Sequence, residues 1–237
     1  MWKFAELKEN ARYNFRNGYW SLVLAGLIYS LAAGGVSSLL GYAINAMVTG
    51  SATPFNGWKL LIILLKYPLF GIMTGGPYLY PILLRIFFYN PLMIGVNKYF
   101  VERQMKQKPD FKVFLFGFNN SYGRIVLTML QQYLLIGLLS LLIVPGIYKS
   151  LEWRLVPYIL TENPDISASE ARRKSAEMMD GNKCRVFVLD LTFIGWVLLS
   201  NLSFGLVAIF YVIPYMQLTY AELYASIKAE NPAILDS

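Results

Sequence analysis

An all-α, polytopic transmembrane helical bundle of about six spans is the fold class this sequence predicts, and three observations predict it. Residues 18–58, 125–148 and 192–221 carry no charged side chain, and each run exceeds the roughly 20 residues a helix needs to cross a bilayer. Lys and Arg instead collect at Lys3, Lys8, Arg12 and Arg16, within residues 98–124, and within residues 172–185, as expected when those segments face the cytoplasm. Apolar residues make up 56% of the chain and charged ones 15%, well under the ~25% charged content of a soluble domain. The whole chain, residues 1–237, reads as one integral membrane domain.

Taken in order, residues 4–15 place Phe4, Leu7, Ala11 and Phe15 at spacings of three and four, with Lys8, Arg12 and Arg16 on other faces. This predicts an amphipathic helix within residues 1–18 that lies on the membrane surface. Charges of both signs and no small-residue cleavage site mark it as retained, not as a signal peptide. Residues 19–48 form a first span, opened by Tyr19 and Trp20 at interfacial depth and interrupted by Gly34 and Gly35. Residues 50–58, with Pro54 and Gly57, are a loop on the far side.

Residues 60–97 would run ~57 Å as one helix, too long for a single crossing. Gly75, Gly76, Pro77, Pro81 and Pro91 break the stretch. Two crossings would put the basic loop 98–124 outside, so one crossing over residues 78–97 is expected, preceded by a membrane-dipping or interfacial piece at 60–74. Loop 98–124 sets Phe111, Phe114, Phe116 and Phe118 among Lys106, Lys108 and Lys112, suited to inserting rings at a cytoplasmic interface. Residues 125–144 are the next span, Pro145 and Gly146 break the helix, and residues 147–161 return.

Within the cytoplasmic segment 163–185, residues 167–180 read as a surface helix. Ser167 caps it, Glu170 completes a capping box, Gly181 stops it, and Glu170 with Lys174 forms an i,i+4 pair. Its small-residue face is Ala168, Ala171, Ser175 and Met178. Arg172, Arg173, Lys174, Lys183 and Arg185 are the candidate surface for a lipid headgroup or partner. Residues 186–202 and 204–225 are the last spans, joined by a turn at residues 203–205, which leaves both termini in the cytoplasm.

Charged residues break the sorting at one place. Lys149, Glu152 and Arg154 lie on the returning segment, and counting back from its cytoplasmic end puts Arg154 ~12 Å and Lys149 ~20 Å deep. Ionised groups at such depth are costly unless paired, so the three are a candidate intramembrane polar site, with Lys149 and Glu152 able to pair at i,i+3. The alternative is a shallow segment whose side chains snorkel at the outer interface. Asp190 and Glu222 read as structural partners of Arg185 or Lys183, and Gln131 and Gln132 as interhelical hydrogen-bond glue. The many Tyr residues read as interfacial belts.

The chain has no His and a single cysteine, Cys184, which removes the commonest metal ligand and general base and any internal disulfide. It also lacks a P-loop, a G-x-G-x-x-G, an H-E-x-x-H and a G-x-S-x-G motif. An enzyme is therefore not expected, nor a metal or cofactor. The formal charge of +7 sits in membrane-flanking loops, which argues against nucleic acid and for anionic phospholipid.

Several motifs carry a family resemblance. Glu6, Leu7 and Lys8 with Ala11 come first, then residues 111–118, then Val144, Pro145, Gly146 and Ile147 with Lys149. Pro157, Tyr158, Ile159 and Leu160 follow, then Glu162, Asn163 and Pro164, Ser175, and Met179 with Gly181 and Lys183. Phe193, Ile194, Gly195 and Trp196 precede Pro214 and Tyr215 through Tyr224. In this order they resemble the bacterial integral-membrane family catalogued as domain of unknown function 975, over residues 4–227. Residues 58–90 match none of its motifs. The resemblance implies a multi-pass helical bundle in a bacterial cytoplasmic membrane and carries over no catalytic residue.

Two functions compete at this level. The first is a non-enzymatic membrane adaptor or envelope-maintenance module that contacts anionic lipid or a membrane protein partner. The alternative is a small transporter or lipid-handling protein that uses Lys149, Glu152 and Arg154 between broken helices. Residues 32–38, rich in small side chains, suit internal packing or a homo-oligomer.

Overall fold

The computed structural model describes residues 2–30, 83–105, 108–203, 205–232 and 234. The far-side loop at 50–58, the 60–74 piece, the Gly34–Gly35 interruption and the small-residue run 32–38 lie outside the described residues. Every regular element among the described residues is helical, so the all-α class holds. One described helix, of 19 residues, is long and apolar enough to cross a membrane.

Helix α1, Phe4–Arg16, buries Leu7, Ala11 and Phe15 as its spacing predicts. That face does not lie open toward a surface, because the C-terminal helix and other parts of the chain cover it. Helix α2, Tyr19–Ser30, follows after Asn17 and Gly18 and is apolar throughout. The next described helical stretch passes through a π turn, Arg85–Tyr89, and runs on as α3, Asn90–Gln104. Pro91 therefore does not break it. Proline has no N–H to give the carbonyl four residues back, and the helix absorbs the loss by widening, with Asn90 N–H bonding to Arg85 O, five residues back. The same device recurs near the C-terminus, where Ile213 N–H bonds to Ala208 O just before Pro214. π turns of this kind appear singly inside α-helices.

The predicted loop 98–124 is mostly helix. Its first residues end α3, a 3-10 turn spans Phe111–Leu115, and α4 spans Phe116–Asn119. Its rings differ: Phe116 and Phe118 are half-buried, whereas Phe111 stays 46% exposed. Phe114 is buried, Phe111 stacks on Tyr99 at 5.9 Å, and Lys98 sits 3.9 Å over Phe116. Helix α5, Tyr122–Ser140, is the long apolar one. It stops at Ser140, four residues before the predicted end. A turn follows in which Ile143 has φ 25°, and α6, Val144–Glu152, doubles back. Gly146 permits the reversal, since a Cβ there would sit 2.6 Å from Ser140 Cα.

Helix α7, Val156–Glu162, completes the return, and α8, Ala168–Met178, is capped by Ser167 Oγ on Glu170 N–H at 3.2 Å. Of the predicted small-residue face, Ala171, Ser175 and Met178 are at 0% exposure, while Ala168 is only half-buried. Gly181 adopts φ 69° where the helix chain turns. Helices α9, Lys183–Leu191, and α10, Ile194–Leu202, lead to the turn at Gly205 (φ 85°). The second π turn, Ala208–Val212, then runs into α11, Ile213–Glu230.

Helix α11 is the hub, packed on α1, α2 and α3. The C-terminal ends of α3, α7 and α11 meet: Lys98 donates to Thr161 O at 2.9 Å, and Lys228 pairs with Glu162 at 2.7 Å. We call this end the base. Large apolar side chains are instead exposed away from it, on Leu134, Leu138 and the α5–α6 turn, and along α10 from Ile194 to Leu202.

Candidate functional site

Between α6 and α7 the helix is interrupted at Trp153, Arg154 and Leu155, and the cause is Pro157. It cannot donate to Trp153 O, four residues back; Gln132 on α5 supplies that hydrogen bond from its side-chain amide at 3.1 Å. The turn tightens around the gap, with Arg154 N–H bonding to Leu151 O and Val156 N–H to Trp153 O. Leu155 N–H and Glu152 O are then left over. Ser175 on α8 satisfies both, its Oγ accepting from Leu155 N–H at 3.2 Å and donating to Glu152 O at 2.8 Å. A break that would strand buried polar groups is thus closed by two side chains from two other helices.

The predicted polar residues surround this break. Lys149 pairs with Glu152 at 2.8 Å, as their spacing predicts. Glu152 is buried, and Lys183 of α9 approaches its second oxygen at 3.9 Å. Lys183 also donates to Tyr148 Oη at 2.8 Å. That hydrogen bond, with help from Glu152 and against partial burial, raises the Lys183 pKa above its ordinary value. Arg154 points elsewhere: it pairs with Asp190 and sits 4.8 Å over the Tyr220 ring, while Tyr220 donates to Asp190 at 2.6 Å. The three residues therefore form two neighbouring clusters, both completed by α9.

Asp190 and Glu222 find partners other than those expected. Asp190 takes Arg154 rather than Arg185 or Lys183, and Glu222 accepts from Asn14 at 3.1 Å and Gln104 at 3.2 Å. Gln131 and Gln132 both act as interhelical glue, Gln131 accepting from Arg172 at 3.3 Å. The predicted basic surface is drawn into the fold's own contacts. Arg172 lies 5.7 Å from the Trp153 ring, with its pKa lowered by burial. Arg173 pairs with Glu177, and Lys174 is buried beside Glu170 at 3.8 Å. Arg185 donates to Trp2 O and covers the Trp2 ring at 4.1 Å.

Sequence reasoning missed Ser175 as the closure of the break. The signal was Pro157, whose missing N–H tightens the turn before it and leaves Leu155 N–H and Glu152 O for another helix to satisfy. It also missed Tyr220, which no local pattern marks. Replacing Asp190 by Leu is expected to lower stability by about 1–2 kcal/mol, less than for a fully buried pair because the two side chains are 35% and 28% exposed. A double-mutant cycle with Arg154→Met, read by thermal unfolding, should return most of that loss. Additive effects would show that the pair is uncoupled.

Comparison with known protein families matches residues 133–231 to the family described as Protein of unknown function (DUF975). The motifs from Val144 through Tyr224 fall inside that match, whereas those at residues 6–11 and 111–118 fall outside it. No curated protein and no solved structure matches the chain.

Proposed function

We propose, from the premise that the chain belongs to the DUF975 family through residues 133–231, that it is a non-enzymatic, multi-pass protein of the bacterial cytoplasmic membrane. In this reading it serves as an adaptor or envelope-maintenance module, with both termini and the base in the cytoplasm. The observation that carries it is the segregation of surface chemistry. Large apolar side chains are exposed on α10 and around the α5–α6 turn, while the ion pair Lys228–Glu162 and the Lys98 contact gather at the base. An exposed apolar surface of that extent marks contact with lipid or protein.

The packing of α1 on α11 supports termini on one side. Arg85–Gln104 and Ala208–Glu230 each run as one helix through a π turn. Against transport stands the state of Lys149, Glu152 and Arg154, each of which is already paired within the chain. The exposed cations Lys3, Arg12 and Arg16 leave a basic surface for anionic lipid or an acidic partner.

The test is thiol accessibility in a Cys184→Ala background. Leu198→Cys, 59% exposed in the structure, should resist a membrane-impermeant reagent in native membranes and react after denaturation. Ser169→Cys should react once membranes are opened. Equal reactivity of the two in opened membranes, before any denaturant is added, would defeat the membrane reading. A small anion that co-purifies with the wild type and is lost in Lys149→Ala would replace the adaptor with a transporter.

A further inference from the structure

Where α1 ends and α2 begins, a cavity of about 520 Å³ is lined by Arg12, Phe15, Arg16, Tyr19 and Tyr211. Arg12 and Arg16 are one helical turn apart, so both guanidinium groups flank the same space. Its other walls are aromatic: Phe15 meets Tyr19 at 5.2 Å and Tyr211 at 5.5 Å, both edge to face. We propose that this cavity binds the phosphate of an anionic phospholipid headgroup, with Arg12 and Arg16 as its donors. This rests on the membrane reading above and names the lipid site within it.

The charges around this cavity point to an anion. Lys8 continues the cationic column one turn earlier, donating to Thr192 at 2.6 Å and lying 4.9 Å over Phe193. Burial, and then the charge of Arg12, lowers the Lys8 pKa. Like charges spaced at i,i+4 repel along a helix, and a bound anion relieves them. Among the described residues neither Arg12 nor Arg16 forms an ion pair with a carboxylate, and the side-chain partner of Arg12 is the neutral Tyr215 hydroxyl. The helix dipole explains a cation at Arg16 in the last turn, but not a second one a turn earlier facing the same cavity. Guanidinium forks match phosphate oxygens in pairs.

The apolar track begins at the same place. Trp20 is 75% exposed on α2, with Leu24 on the next turn, and Phe210 is exposed on the π turn beside Tyr211. Trp and Tyr rings favour the headgroup level, and acyl chains held there would run along α2 away from the base. A free phosphate would use the two arginines and leave this track unused.

The full chain, placed in phosphatidylcholine nanodiscs with and without phosphatidylglycerol, should melt at a higher temperature with the anionic lipid. Photoactivatable phosphatidylglycerol should crosslink to the α1–α2 region. Arg12→Gln with Arg16→Gln should weaken binding roughly tenfold, while Lys108→Gln with Lys112→Gln should not change it. Equal binding by the arginine variant, or crosslinks confined to other helices, overturns the site. Should the arginine variant fail to fold, the wild-type crosslinks decide. Full competition by inorganic phosphate or glycerol phosphate overturns the lipid source in favour of a soluble phosphate. A chain that never enters nanodiscs refutes the membrane reading itself, an outcome distinct from entry without lipid preference.

Discussion

Ser175→Val is expected to destabilise the protein by about 3 kcal/mol, because it strands two buried backbone groups at once. Ser175 has no exposed surface, and its hydroxyl serves both Leu155 N–H and Glu152 O. Valine, which matches threonine in size, offers neither a donor nor an acceptor. Ser175→Thr keeps the hydroxyl and should be tolerated far better. Denaturant unfolding in detergent measures both variants. A loss below about 0.5 kcal/mol for valine, the range of an ordinary surface change, would mean that the break does not depend on α8.

A comparable loss, about 3 kcal/mol, is expected for Gly95→Val. A Cβ on Gly95 would collide with the backbone carbonyl of Phe114, and one on Gly117 with the carbonyl of Pro91. At these two points α3 and the 3-10/α4 segment touch backbone to backbone, so no side chain can swing away. Gly123→Ala is the control, since nothing lies within 4 Å of its would-be Cβ. Alanine there should be neutral or slightly stabilising through helix propensity. Thermal melts compare the two, and similar melting temperatures would show that α3 yields at this contact.

What the sequence made legible was local. The Ser167 cap, the Glu170–Lys174 and Lys149–Glu152 pairs, the reversal at Pro145 and Gly146 and the apolar face of α1 all depend on residues within a few turns of one another. What stayed hidden needed the third dimension. Asp190 lies 36 residues from Arg154, and the periodicity of either segment says nothing of the other. Pro91 read as a breaker because the rule for proline assumes an unwidened helix, and the π turn evades it. The apolar face of α1 matched a lipid surface and a protein surface equally well, since the amphipathic pattern records only that something apolar covers it.

The closure of the α6–α7 break also orders events in time. Gln132 is synthesised before the break and Ser175 after it, with α7 and the Ser167 cap between them. Until α8 has docked, Leu155 N–H and Glu152 O need water, so the hairpin of α5 with α6 and α7 cannot become dry as it emerges. Its final seating must wait for a later part of the chain. Segments on either side of this hairpin are thereby committed to one cooperative step of maturation, which joins Gln132, just ahead of the family match, to Ser175 within it.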